Sequence, residues 1–231
     1  VPVIVFVSPK GGVGKSTSAV LLSQELANHA DVGLLDGDPN RPLTQWGKGE
    51  HKPERLTIYS DVDEENILDV IDEAAQKNTF TVVDLEGTAA KIVLLAVSQA
   101  DLVIIPTQGS QLDAEQATRG LRVVKQQEKM SRRTVPYRIL LTRTSAAIRT
   151  RTMTHIIASY AAAGVRVLST EIVEREAFKA MFSFAEPLSH LDRSQVSNVD
   201  KAIANAEAFA AEVISILRET AQESSNQQEV A

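Results

Sequence analysis

The 231-residue sequence contains no cysteine. Disulfide staples, iron–sulfur clusters and cysteine-ligated zinc are therefore excluded within one chain. Long hydrophobic runs are also missing. The first apolar run, Val3 to Val7, is too short for a secretory signal, and no stretch approaches the length of a membrane-spanning helix. A cytoplasmic protein is expected. No Pro/Gly/Ser-rich linker divides the chain, so one domain over 1–220 is expected, with 221–231 as a polar, flexible tail. Aromatic residues amount to 4%. None falls in the arginine- and hydroxyl-rich stretch Thr142 to Thr152, which argues against stacking on single-stranded nucleic acid.

Net charge is -6, a weak argument against nucleic acid, but its distribution is uneven. Asp61 to Glu73 holds seven acids and no base. Lys125 to Arg151 holds eight bases, Lys125, Lys129, Arg132, Arg133, Arg138, Arg143, Arg149 and Arg151, opposed only by Glu128.

The most informative stretch is Lys10 to Thr17, KGGVGKST. It follows the apolar run Val3 to Val7 and precedes a helix-forming run, the order that makes a phosphate-binding loop credible. Gly11, Gly12 and Gly14 let the backbone curl with its N–H groups inward, around Val13. A helix starting near Lys15 adds its unpaired amides and positive dipole end. Lys15 can reach outer phosphates, and Ser16 can offer a hydroxyl to Mg²⁺. Lys10 sits five positions earlier and cannot easily fold back to the same oxygens. It either reaches a nucleotide on a facing subunit or is a solvated surface lysine.

Short apolar strands are expected at Val3–Val7, Val32–Leu35, Phe80–Val83, Leu102–Ile105, Arg138–Leu141 and Val165–Leu168. Helices are expected at Ser16–His29, Asn66–Lys77, Ile92–Gln99, Leu112–Met130, Arg149–Ala163 (capped by Gly164) and Asn198–Thr220. Arg41 to Pro53 reads as irregular. The pattern describes an α/β fold: a mostly parallel central sheet flanked by helices on both faces. Ligands of such sheets gather beyond the strand carboxyl ends. Asp36 to Asn40 (DGDPN), Asp84 to Gly87 (DLEG) and Pro106 to Glu115 lie there, with the loop itself. A carboxylate at a buried strand end needs a partner or a metal, so Asp38 and Asp84 are expected to face the Mg²⁺–phosphate region. Asp36 reads as structural. Asp38 before Pro39 also reads as a simple turn residue, and Asp84 as a strand stop.

Lys10 to Thr17 resembles the deviant Walker A motif of the ParA/MinD ATPases. Asp36–Asn40, Val82-Val83-Asp84, Pro106-Thr107 and Ile172–Phe178 are similar to later segments of that family. The resemblance covers nearly the whole chain and implies a P-loop ATPase that binds ATP and Mg²⁺ and closes as a homodimer around two nucleotides. Carried over by position, Lys10 crosses to the partner's phosphates, Lys15 holds the β and γ phosphates, Ser16 ligates Mg²⁺ and Thr17 assists at the α phosphate. Asp38 orients the attacking water and, with Ser16 and Asp84, belongs to the metal shell, Asp84 acting through water. The base is expected near Thr142, Arg143, Leu168, Ser169 and Thr170. The family often has Thr-Pro-Pro where this chain has Leu85-Glu86-Gly87; Glu86 either orients water or points away.

The polar, acidic C-terminal stretch does not resemble a membrane-attaching helix, which leaves the partition branch of the family. Arg143, Arg149, Arg151 and Arg175 are the expected contacts to double-stranded DNA, sequence-independent and salt-dependent because no helix-turn-helix precedes the first strand. The implied function is ATP-dependent DNA partition: the dimer associates with the nucleoid, and a ParB-like centromere-binding partner releases it. Asn40 to Trp46 resembles the same stretch in ParA-like virulence proteins of T-DNA transfer, which recruit relaxosomes, so that role stands as an alternative. A small-molecule kinase or synthetase and a non-catalytic scaffold are alternatives of other classes.

Overall fold

A computed structural model describes residues 1–85, 90–147 and 149–229. Seven strands form one parallel sheet: β1 (Val3–Phe6), β2 (Val32–Gly37), β3 (Leu56–Tyr59), β4 (Phe80–Leu85), β5 (Leu102–Thr107), β6 (Tyr137–Thr144) and β7 (Ile172–Val173), in the order β3-β2-β4-β1-β5-β6-β7. Strand alternation splits the core into two layers. Ile4 and Phe6 of β1 face one cluster, Val3 and Val5 the other. On the first face lie α1 (Lys15–Ala27), α2 (Pro42–Trp46), α7 (Glu176–Phe184) and α8 (Val199–Glu229). On the second lie α3 (Ile67–Lys77), α4 (Ala90–Gln99), α5 (Gln111–Ser131) and α6 (Arg151–Ala162). The expected α/β architecture is therefore present. No described helix is long and apolar enough to cross a membrane.

Asp36 and Asp84 lie inside their strands, and Asp38 follows the end of β2. β2 and β4 run to Gly37 and Leu85 and keep pairing there, Asp36 opposite Asp84. Glu86 and Gly87 lie outside the described residues.

One expected strand is corrected. Val165 to Leu168 contributes a single bridge, Ile139 to Val167, and the edge strand is instead Ile172–Val173. The cause is local. Beyond Leu168, the Ser169 and Thr170 N–H groups each donate to the Glu212 carboxylate of α8, at 2.7 Å, rather than to β6. Gly164, at φ 67°, ends α6 with Gly164 N–H on Ala161 and Val165 N–H on Tyr160, the paired bonds of a Schellman cap. The segment read as irregular contains the short helix α2, begun by Pro42. α8 continues through the polar stretch beyond Thr220.

Candidate functional site

The loop after β1 curls as its glycines allow, with φ 75° at Gly12 and 86° at Gly14. These are left-handed conformations that a side chain disfavours. Three contacts hold the loop. Thr142, at the end of β6, shares its hydroxyl proton between the Val13 carbonyl, at 2.7 Å, and the Thr107 carbonyl of β5, at 3.1 Å. Gln108 donates to the Gly12 carbonyl at 3.1 Å. Ser18 N–H donates to the Gly14 carbonyl in the first turn of α1. Central strand, loop and helix start thus form one braced unit.

Lys15, 9% exposed, places its ammonium 2.5 Å from Oδ1 of Asp84, which is fully buried. Asp84 Oδ2 has no hydrogen-bond partner among the described residues. Burial pushes the Asp84 carboxyl above the usual carboxylate range, against the pull of Lys15 and the Ser16 hydroxyl, and Asp36 on the neighbouring strand pushes the same way. Asp36 has a structural role. Its Oδ2 accepts from the Thr44 N–H and hydroxyl, both at 2.7 Å, and so secures α2.

Asp38 is half-buried, and its Oδ1 accepts from the Asn40 N–H at 2.9 Å and the Asn40 amide at 3.0 Å. That is the turn geometry of an Asx residue. It also lines a cleft of about 310 Å³ with Lys10, Gly12, Lys15 and Thr17. Its turn and site readings are compatible.

Lys10 is folded onto its own chain. Its ammonium lies 2.5 Å from Oδ1 of Asp113, which is 4% exposed. Ser110 caps α5 by accepting from Asp113 N–H, and its hydroxyl donates to the other carboxylate oxygen. Burial acts to raise the Asp113 carboxyl, but Lys10 and Ser110 outweigh it and hold the group below its ordinary value. Sequence reading did not single out Asp113; the signal available was the Ser110-x-x-Asp113 cap spacing.

Beside the loop a cavity of about 300 Å³ lies between Gly14, Thr17 and Arg143 and the apolar Ile172, Phe178 and Phe182. Thr142 and Arg143, expected near a base, line it. Ser169 and Thr170 do not: their backbone is tied to Glu212. Of the expected DNA contacts, Arg175 lines this cavity with its Nε buried and without a partner among the described residues, and Arg149 is paired with Glu171 at 2.7 Å. Arg143 lines the cavity and the cleft at a positive φ of 51°, and Arg151 is exposed on the first turn of α6.

A parallel sheet with a braced glycine loop on its central strand, a buried lysine on the next strand's aspartate and a second lysine at the loop's start define a P-loop ATPase of the ParA/MinD type. Within that class the chain belongs to the VirC1 protein family, whose model matches residues 1–223. It is 41% identical over 219 residues to a Protein ParA of Rhizobium radiobacter, covering 94% of this chain and 98% of that one. It is 30% identical over 188 residues to Protein virC1 of the same organism, covering 77% and 79%. The fold is shared with the ATP complex of Cyanothece McdA, at TM-score 0.72 and 18% identity, over 92% of this chain and 96% of that one.

Proposed function

We propose that the chain is an ATP-driven dimerisation switch that positions a DNA cargo, in a VirC1-like role in conjugative or T-DNA transfer. The observation that carries the nucleotide chemistry is the buried Lys15–Asp84 pair, with one carboxylate oxygen left unpartnered beside Ser16. An uncompensated buried carboxylate oxygen is costly, and a hydrated cation answers it. Ser16 and Asp84 fit Mg²⁺ and would hold it, Asp84 through water; the ion, when bound, neutralises charge developing on the phosphates. The loop amides and Lys15 bind the phosphates. The cavity of Ile172, Phe178 and Phe182 offers an apolar slot to the base. Asp38 orients the attacking water.

Lys10 supplies its charge to the nucleotide of a second copy, which makes turnover depend on the homodimer. To do so it leaves Asp113. The closed dimer binds double-stranded DNA without sequence preference, and a protein partner that stimulates hydrolysis releases it. The VirC1 match over 1–223 supports relaxosome recruitment as the output. The 41% identity to a Protein ParA supports the second reading, plasmid partition with a ParB-like partner on the nucleoid.

Two measurements test these readings. Lys15→Ala should abolish ATP binding, and unchanged nucleotide affinity would refute the phosphate role. Deleting the gene and restoring it with wild type or Lys15→Ala separates the outputs. Lost DNA transfer with normal plasmid inheritance supports the transfer role; plasmid loss with normal transfer supports partition.

A further inference from the structure

Three of the four arginines expected to contact DNA have other engagements. Arg149 is ion-paired, Arg175 turns into the nucleotide-side cavity, and Arg143 lines that cavity and the adjoining cleft. The fourth, Arg151, is exposed without an ion pair among the described residues, and a denser set of such cations lies on α5.

The inner side of α5 buries Ala117, Gly120 and Val124 against the sheet. The outer side carries Arg119, Arg122, Gln126 and Lys129 at spacings of three and four, which places them in one narrow stripe. Arg132 follows at the helix end in a left-handed conformation, φ 54°, where glycine is the cheaper residue. Arg119, Arg122, Lys129 and Arg132 are exposed, and none makes an ion pair among the described residues. The nearby acids that could neutralise them are already engaged: Glu128 holds Lys125 and Asp101 holds Arg133. Glu115 is the remaining acid on the stripe.

The stripe is about 20 Å long at 1.5 Å per residue. A duplex carries about one phosphate per 3.4 Å of axis on each strand, so several fall within reach. The same helical layer is electrically polarised. α3, two helices away across α4, is preceded by and carries the seven acids of Asp61 to Glu73, of which Asp61, Glu64 and Glu73 are ion-paired and the other four have no ion pair among the described residues. A polyanion is therefore repelled from one edge of this layer and drawn to its middle.

We infer that the outer face of α5, through Arg119, Arg122, Lys129 and Arg132, is the docking surface for the phosphate backbone of double-stranded DNA. This rests on the proposed DNA-binding function and moves its contact surface away from the strand-end arginines. The contacts are to phosphates, so they fix position without reading sequence.

The test is fluorescence anisotropy of a mixed-sequence duplex with full-length protein, Mg²⁺ and a nonhydrolysable ATP analogue, across a salt titration. Three proteins are compared: wild type, the quadruple variant Arg119→Gln, Arg122→Gln, Lys129→Gln, Arg132→Gln, and the double variant Arg149→Gln, Arg151→Gln. The quadruple variant should bind on the order of 100-fold more weakly, and its log–log salt slope should be shallower by about one for each phosphate no longer neutralised. The double variant should stay within a few-fold of wild type. Both should keep wild-type affinity for the analogue and wild-type melting, which excludes misfolding. If the quadruple variant does not fold, the pairs Arg119/Arg122 and Lys129/Arg132, changed separately, should each remove part of the slope.

A wild type that binds DNA and a quadruple variant of equal affinity and slope would overturn the α5 surface and leave the DNA-binding function standing. A wild type that binds no duplex would end both. If sedimentation shows instead that the stripe joins copies of the chain at low salt and DNA is not bound, the occupant is the acidic edge of a second copy and the inference fails.

Discussion

Glu25 of α1 is half-buried and faces Glu207 of α8, and its carboxyl is pushed from 4.5 up to about 7. Burial is the larger cause and the Glu207 charge the next, while the Asn28 amide, donating at 3.2 Å, pulls the other way. The folded-state value is above the unfolded one. The stability that this group contributes is therefore fully present below pH 4.5 and is lost as pH rises through about 7. The difference, 7 − 4.5 = 2.5, corresponds to about 3.4 kcal/mol at 1.36 kcal/mol per unit. Solvent reaches part of the side chain, so screening reduces this to about 1–2 kcal/mol. Glu25→Gln removes the charge and keeps an oxygen to accept from Asn28. At pH 8 the variant should be more stable than wild type by about 1–2 kcal/mol, or about 3–6 °C in melting temperature for a chain of this size. At pH 4.5 most of that difference should disappear. Urea denaturation at the two pH values measures it. Equal increments at both, or none at pH 8, would refute the assignment of the shift to burial and charge at this interface. Glu207→Gln should act in the same direction, since it removes the charge that faces Glu25.

Other substitutions test the site. Asp38→Ala should leave ATP binding intact and give a persistent ATP dimer with no turnover, seen as a stable dimer in sedimentation; normal turnover would remove Asp38 from the reaction. Thr142→Val strands two buried carbonyls, of Val13 and Thr107, and should cost about 1–3 kcal/mol in urea denaturation while weakening ATP binding by loosening the loop. Retained stability and affinity would show that the brace is idle. Asp113→Asn frees Lys10 and should lower the protein concentration needed for ATP-driven dimerisation by several-fold, the scale of an ion pair with one exposed partner. A higher concentration requirement would show that Asp113 guides Lys10 rather than restrains it.

The phosphate loop was legible because its chemistry is local: Lys10, the glycines, Lys15 and Ser16 stand in sequence order in the structure's own loop. The apolar strands were legible for the same reason, since β1, β2, β4, β5 and β6 have inner residues buried on both faces. β3 was missed because LTIY is a half-exposed edge without a continuous apolar run. Val165–Leu168 reads as a full strand because nothing local reveals that Glu212, more than 40 residues on, takes the following N–H groups. The ion pairs of Lys10 with Asp113 and Arg149 with Glu171 also join distant segments, so nothing in the sequence pairs either cation with its acid, and Lys10 reads toward a facing nucleotide and Arg149 toward DNA.

The bidentate hold of Glu212 on Ser169 and Thr170 has a bearing on how the chain can be cut or fused. A side chain of the last helix does there what a neighbouring strand would do elsewhere, so the rim of the sheet is closed by a residue that comes late in synthesis. A version shortened ahead of that residue would present bare amides at its rim, the geometry that lets one molecule zip onto the next. Such a fragment should precipitate rather than behave as a smaller enzyme.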